Sequence, residues 1–195
     1  MPTPTGPKRD ATARTQRADG LRNQARVLEE AFAAFAAHGA AVSIREIARR
    51  AGVSTGTVSR HFPTKEALFR AVALHRIGQL VARAEEIAVA EPPETAFFSF
   101  FAHLVRQGAA DRAVGEALVG AGFDLRVEAS NVVEAFGAAM AGLLARAQDA
   151  GAVRGDVDGA DVKAFIAGCI ARAGDAPAQQ RMIDVVCDGL RPRSA

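Results

Sequence analysis

The chain has 195 residues, of which 49% are apolar and 24% charged, with a formal net charge of +2 and two cysteines. This composition is typical of a globular protein with one domain and room for a small second one. No run approaches the roughly 18 consecutive apolar residues of a membrane-spanning helix, and no apolar run follows the basic N-terminal segment as in a secretory signal. Cys169 and Cys187 are too few for a disulfide framework or a four-ligand zinc site. We therefore expect a soluble, cytoplasmic protein with no metal, no cofactor and no membrane partner.

The residue bias predicts an all-α fold. Alanine, the strongest helix former, is abundant, and 21 of the 24 basic residues are arginine, which ranks close behind it. Tyrosine and tryptophan are absent, and the alternation of β-branched or aromatic residues with polar ones that marks strands does not occur.

The charge is distributed unevenly. Residues 1–62 contain ten Lys and Arg against five Asp and Glu, a net +5, whereas residues 63–195 contain fourteen against seventeen, a net −3. A basic segment joined to a slightly acidic remainder indicates nucleic-acid binding at one end, although basic tails also serve solubility alone.

In chain order, residues 1–20 come first and are rich in Pro, Thr and Arg. They lack apolar periodicity and predict a disordered basic arm. From Leu21, apolar residues recur every three or four positions, which predicts a helix that ends at Gly39.

Two short helices with a glycine-containing turn between them match the helix-turn-helix template. Ser43 opens the first with a capping box, Gly52 lies in the turn, and Ser54 caps the second, which ends at His61. Around the single inward Val58, the second helix carries short polar side chains. Such a surface suits a helix in the major groove of DNA better than a core helix. A helical corner without a ligand is the alternative.

A long helix is predicted over residues 63–89, with an apolar face in its first half and the opposite face apolar in its second half. Such a helix should connect two units, a DNA-binding domain over residues 21–82 and a second domain over residues 83–195. In the second domain, the apolar periodicity predicts helices over 95–108, 127–149, 159–173 and 177–190, with a short helix within 115–124.

The first half of the chain resembles the N-terminal domain of the TetR/AcrR family of bacterial transcriptional regulators. The matching segments are Ile47-Ala48, Ala51-Gly52-Val53-Ser54, Gly56-Thr57, His61-Phe62 and Lys65-Glu66-Ala67-Leu68. The resemblance implies a three-helix DNA-binding domain followed by a ligand-binding and dimerisation domain. It further implies a homodimer on a palindromic operator in double-stranded DNA, acting as a repressor that a small, apolar effector releases, and no enzymatic activity. The alternative is a small-molecule-binding helical protein or an enzyme whose helix-turn-helix is vestigial.

The predicted DNA-binding residues are Arg45, Ser54, Thr55, Gly56, Thr57, Ser59, Arg60, His61 and Lys65. The resemblance places Thr55, Gly56 and Thr57 near bases, His61 at an aromatic position on the DNA backbone, and Lys65 on a phosphate. Arg45 and Arg60 are added for their charge. The family commonly has tyrosine where this chain has Ser59, so the resemblance implies a retained phosphate donor without the aromatic contact.

The second domain should supply a cavity and a self-complementary surface. The predicted cavity residues are Phe98, Phe101, Phe136 and Met140, with His103 as a polar contact, and solid core is the alternative. The predicted dimer-interface residues are Ala164, Ala167, Gly168, Ala171, Met182 and Val186. They lie on the last two helices, because the helix over residues 159–173 is apolar on one face and has small residues on the other. A fully buried helix within a monomer is the alternative.

Overall fold

The computed structural model describes residues 8–120, 122, 130–172 and 174–192, and for residues 8–18 and Leu118 it describes the backbone only. Within these ranges the chain forms α-helices and one 3-10 turn and contains no strand, which confirms the all-α prediction. The helices are α1 (Lys8–His38), α2 (Ile44–Arg50), α3 (Thr55–His61), α4 (Lys65–Ala90), α5 (Pro93–Gly120), α6 (Ser130–Asp149), α7 (Gly159–Ile170) and α8 (Ala176–Leu190). None of the described helices has the length and apolar character needed to span a membrane.

The first helix begins earlier than the sequence predicted. The prediction of a disordered arm over residues 1–20 is wrong for residues 8–20, which form the start of α1. No proline interrupts the chain between Pro7 and Pro63, and the alanines and arginines of this segment favour helix. An ion pair one helical turn apart, between Arg22 and Asp19, adds to the same preference. Residues 1–7 of the predicted arm lie outside the described residues.

Buried apolar side chains form two clusters. The N-terminal cluster lies between α1, α2, α3 and the first half of α4, and it includes the rings of Phe35 and Phe69, whose centroids are 4.4 Å apart. The C-terminal cluster lies between the second half of α4 and helices α5 to α8. Because α4 contributes Leu68 to the first cluster and Leu80 to the second, it is the long connecting helix that the sequence predicted.

Helix α5 is longer than the sequence indicated. It starts at Pro93, where the missing amide hydrogen is tolerated, and it continues past Gly108 and Gly115 to Gly120. A Cβ atom on Gly108 would lie 2.1 Å from Cδ1 of Ile170, so this glycine allows α5 and α7 to cross closely. The long α5 extends into the N-terminal cluster, where its Val114 is buried. Most of the short helix predicted within residues 115–124 is therefore the end of α5, and its last part lies outside the described residues.

Candidate functional site

The turn between α2 and α3 is built as a helix-turn-helix requires. Helix α2 ends in a Schellman motif, in which the amide of Gly52 donates to the carbonyl of Arg49 (3.2 Å) and that of Val53 donates to Ala48 (3.0 Å). Gly52 has φ +64°, a left-handed conformation that a side chain disfavours. The two helices are held together by buried apolar side chains, among them Ile47 and Val58.

Helix α3 is fixed at its start by a hydrogen-bonded cap. The Ser54 hydroxyl accepts from the amide of Thr57 (3.0 Å), and the two hydroxyl groups lie 2.8 Å apart. Thr57, expected near bases, is therefore also part of the cap, a role that the sequence analysis missed. A Cβ atom on Gly56 would meet only Ser54 Oγ at 3.8 Å. Internal packing thus does not require glycine at position 56, and its side of α3 is open for the close approach of another molecule.

The predicted DNA-binding residues are almost all on the surface. Arg45, Ser54, Thr55, Gly56, Ser59, Arg60 and His61 are exposed, whereas Thr57 and Lys65 are half-buried. Lys65 lies in the first turn of α4, with its ammonium nitrogen 6.0 Å from the centre of the Phe69 ring. Because Val58 is the only fully buried residue of α3, most of the helix surface faces outward.

Two neighbouring arginines of α2, Arg49 and Arg50, already form ion pairs within the protein. Both Arg49 and Arg50 donate to the carboxylate of Glu46, at distances of 2.7 to 2.8 Å. Hydrogen bonds from Arg49 and then Arg50 lower the pKa of the Glu46 carboxyl to about 2. For Arg45 and Arg60, no ion pair occurs among the residues that the structure describes. These two cations are therefore available to an external anion.

The second domain contains an apolar cavity of about 600 Å³ between α5, α6 and α7, with Leu80 of α4 on one wall. This volume is within the usual range for small-molecule sites. Two of the residues that the sequence analysis assigned to a cavity, Phe136 and Met140, lie on its wall. The space is left by small residues that face one another across it: Gly108, Gly137, Ala141, Ala145, Gly159 and Ala167. Three of them, Gly137, Ala141 and Ala145, recur every four residues on α6 and therefore share one helix face. The sequence analysis did not use this pattern.

Three of the predicted cavity residues lie elsewhere. Phe101 is fully buried in the C-terminal cluster, and the Phe98 ring packs 4.6 Å from the Arg191 guanidinium carbon. His103 stacks on Phe100 at 6.3 Å, away from the cavity, where burial and the nearby Arg83 lower its pKa. The reason is the rotation of α5, which turns Leu104, Gly108 and Asp111 toward the cavity and the phenylalanines into solid core.

The outer faces of α7 and α8 are partly apolar and exposed. Ala164, Gly168 and Ala171 are exposed, as an interface requires, and Met182 and Val186 are half-buried. Ala167 is exposed as well, and it also lines the cavity, on a helix face that it shares with Lys163 and Ile170. The sequence analysis missed Phe165 and Val185 on this surface, which are 38% and 71% exposed.

An ion pair joins the cavity wall to the helix-turn-helix domain. Asp111, which lines the cavity, accepts hydrogen bonds from Arg76 of α4 at 2.6 and 3.1 Å. The Arg76 guanidinium carbon lies 5.1 Å from the centre of the Phe32 ring of α1. Both charged side chains are mostly shielded, at 19% and 24% exposure. Asp111 at the cavity is thus connected to α1, the first helix of the N-terminal domain, through its contact with Arg76 and the contact of Arg76 with Phe32.

An exposed helix-turn-helix on a helical body with its own cavity is the architecture of helix-turn-helix regulators. Comparison with family models agrees: residues 27–72 match the model for bacterial regulatory proteins of the tetR family, and residues 92–192 match that for the C-terminal domain of SbtR-like transcriptional regulators. The chain belongs to the TetR family of bacterial transcriptional regulators. Within the described residues, no group of three or more His, Cys, Asp and Glu side chains is placed to hold a metal ion.

Solved structures of the family are similar along nearly the whole chain. The TetR transcription regulatory protein from Mycobacterium vanbaalenii is 48% identical, with a TM-score of 0.80 and coverage of 91% of this chain and 99% of that one. The regulator SCO0520 from Streptomyces coelicolor is 28% identical, with a TM-score of 0.75 and coverage of 87% and 98%. PfmR from Thermus thermophilus, at 22% identity, 86% and 100% coverage and a TM-score of 0.62, shares the fold. No curated protein sequence matched the chain.

Proposed function

We propose that the protein is a cytoplasmic, homodimeric repressor that binds a palindromic operator in double-stranded DNA and is released by a small molecule in the cavity. The observation that supports DNA binding best is the exposed surface of α3, which has short polar side chains around one buried valine. The nearby Arg45 and Arg60 have no ion pair within the described ranges and are available to phosphates. Two copies would place two such helices on successive major grooves, which is how helix-turn-helix dimers obtain specificity.

We expect the substitution Arg60→Gln to weaken DNA binding, because it removes a cation from the proposed phosphate contacts. The slope of log K against log salt concentration should fall by about one unit per protomer. The measurement is a mobility shift or fluorescence titration on the DNA upstream of the protein's own gene at several salt concentrations. The control is Arg83→Gln, which removes an exposed arginine from the second half of α4.

An unchanged slope for Arg60→Gln would remove Arg60 from the interface. If the unaltered protein bound no duplex, including those selected from random sequence, the DNA-binding proposal would fail. The alternative function, a small-molecule-binding protein with a vestigial helix-turn-helix, would then be favoured. The cavity is the observation that keeps this alternative open.

We expect dimerisation to depend on the outer faces of α7 and α8. Val185→Glu places a charge on an exposed apolar side chain beside Met182 and Val186. A buried and unpaired carboxylate in the dimer is costly, so the variant should shift to the monomer, as measured by sedimentation or light scattering. Val119→Glu is the matched control, because Val119 is equally exposed, at 71%, but lies on α5. Equal dimer fractions in the two variants would place the interface elsewhere.

A further inference from the structure

Among the described residues that line the cavity, all are apolar except four: Asp111, Arg112, Gln148 and Lys163. Two of these have their polar groups engaged inside the protein. The Asp111 carboxylate is held by Arg76 through two hydrogen bonds. The Gln148 amide nitrogen donates to the carbonyls of Arg154 and Val157, at 3.1 and 2.9 Å.

The two remaining side chains are both cations. The Nε of Arg112 lies 3.7 Å from a carboxylate oxygen of Glu116, and both side chains are more than half exposed, so this ion pair is weak. Lys163 has no ion pair within the described residues. Among the described lining residues, Lys163 is thus a cation without an ion pair and Arg112 is only weakly paired, whereas the carboxylate of Asp111 is already paired with Arg76.

The cavity is also long. Its residues on α7 run from Gly159 to Ile170, which at 1.5 Å per residue is about 16 Å. Along this length Ile166 of α7 and Met140 and Leu144 of α6 supply apolar wall. An occupant that fits these features has an elongated apolar body and a single anionic group.

We propose that the cavity binds an amphipathic acid, with its carboxylate or similar anion at Lys163 and its apolar body between α6 and α7. Arg112 supplies a second cation to the cavity lining, from α5. This proposal names the ligand class of the effector cavity in the proposed function and rests on the cavity being a binding site. A cationic ligand of the same shape would face two like charges, and a neutral one would form no ion pair with Lys163.

The test compares three ligands of equal chain length, decanoate, decanol and decylamine, by calorimetry or equilibrium dialysis below their aggregation concentrations and without DNA. We expect decanoate to bind about tenfold or more tightly than decanol, as a charge-assisted hydrogen bond requires, and decylamine to bind least. Lys163→Gln should lose about that factor for decanoate and leave decanol unchanged. Arg83→Gln, which removes a cation outside the cavity, should change neither affinity.

A second variant, Ala141→Phe, fills the cavity and should abolish the binding of both decanoate and decanol, which locates the ligand. Equal affinities for decanoate and decanol, no effect of Lys163→Gln, or no binding of any of the three would overturn the proposal. Because none of these measurements contains DNA, their failure is distinct from a failure of operator binding. Decanoate that binds at Lys163 without changing the mobility shift supports the ligand class and overturns only its role as effector.

Discussion

Replacing Phe35 by alanine should destabilise the protein by about 3–5 kcal/mol, the usual cost of removing a fully buried phenylalanine. Phe35 has no exposed surface and contacts Phe69, so it packs α1 against α4 beneath the helix-turn-helix. In thermal unfolding this loss should lower Tm by roughly 6–20 °C at fixed protein concentration. DNA affinity should fall with the fraction of folded protein.

Val89→Ala is the control for this substitution, because Val89 is 90% exposed on the last turn of α4. Its effect should stay within about 0.5 kcal/mol, as for most surface changes. A loss of less than about 1 kcal/mol for Phe35→Ala would mean that the contact with Phe69 is not part of the folded core in solution.

The second large effect is expected at the ion pair between Arg76 and Asp111. Arg76→Met or Asp111→Asn leaves the opposite charge without its partner in a site that is about four-fifths shielded. Each variant should lose about 1–3 kcal/mol of stability. The double variant should lose less than the sum, because the pair is removed together, with a coupling energy of about 1–3 kcal/mol. Chemical denaturation of the four proteins of this cycle measures it.

The matched comparison is the pair Arg83–Glu86 on the same helix, whose side chains are 48% and 67% exposed. Its coupling energy should be below about 1 kcal/mol, as for other surface pairs. Similar values for the two cycles would show that the Arg76–Asp111 pair is no stronger than a surface contact. Any energetic coupling between the cavity wall and α1 would then depend on apolar packing alone.

The helix-turn-helix could be predicted from the sequence because its determinants are local. Ser43 and Ser54 cap the helices that start immediately after them, and Gly52 takes its left-handed conformation in the turn between those two helices. A short segment therefore contains most of the information that its own structure needs. The exposed positions of α3 followed from the same short pattern.

The second domain was harder, because its features depend on contacts between distant segments. Gly108 was expected near the end of a helix, yet it allows the crossing with Ile170, 62 residues further along the chain. Periodicity identified the apolar side of α5, but it could not tell that Phe101 is solid core and Leu104 is cavity wall. That distinction depends on the rotation of α5 against α6 and α7, which no local pattern encodes.

The burial of Val114 in the N-terminal cluster has a consequence for how such regulators can be recombined. The α5 helix that lines the cavity also completes the core beneath the helix-turn-helix. The N-terminal domain therefore does not have a complete core without α5. A chimera joined within α4 would combine the N-terminal domain of one protein with the α5 helix of another. In such a chimera, the α5 residues that face Phe32 and Arg76 would not match them in shape and charge. The facing residues of α5 would have to be transferred together with the N-terminal domain.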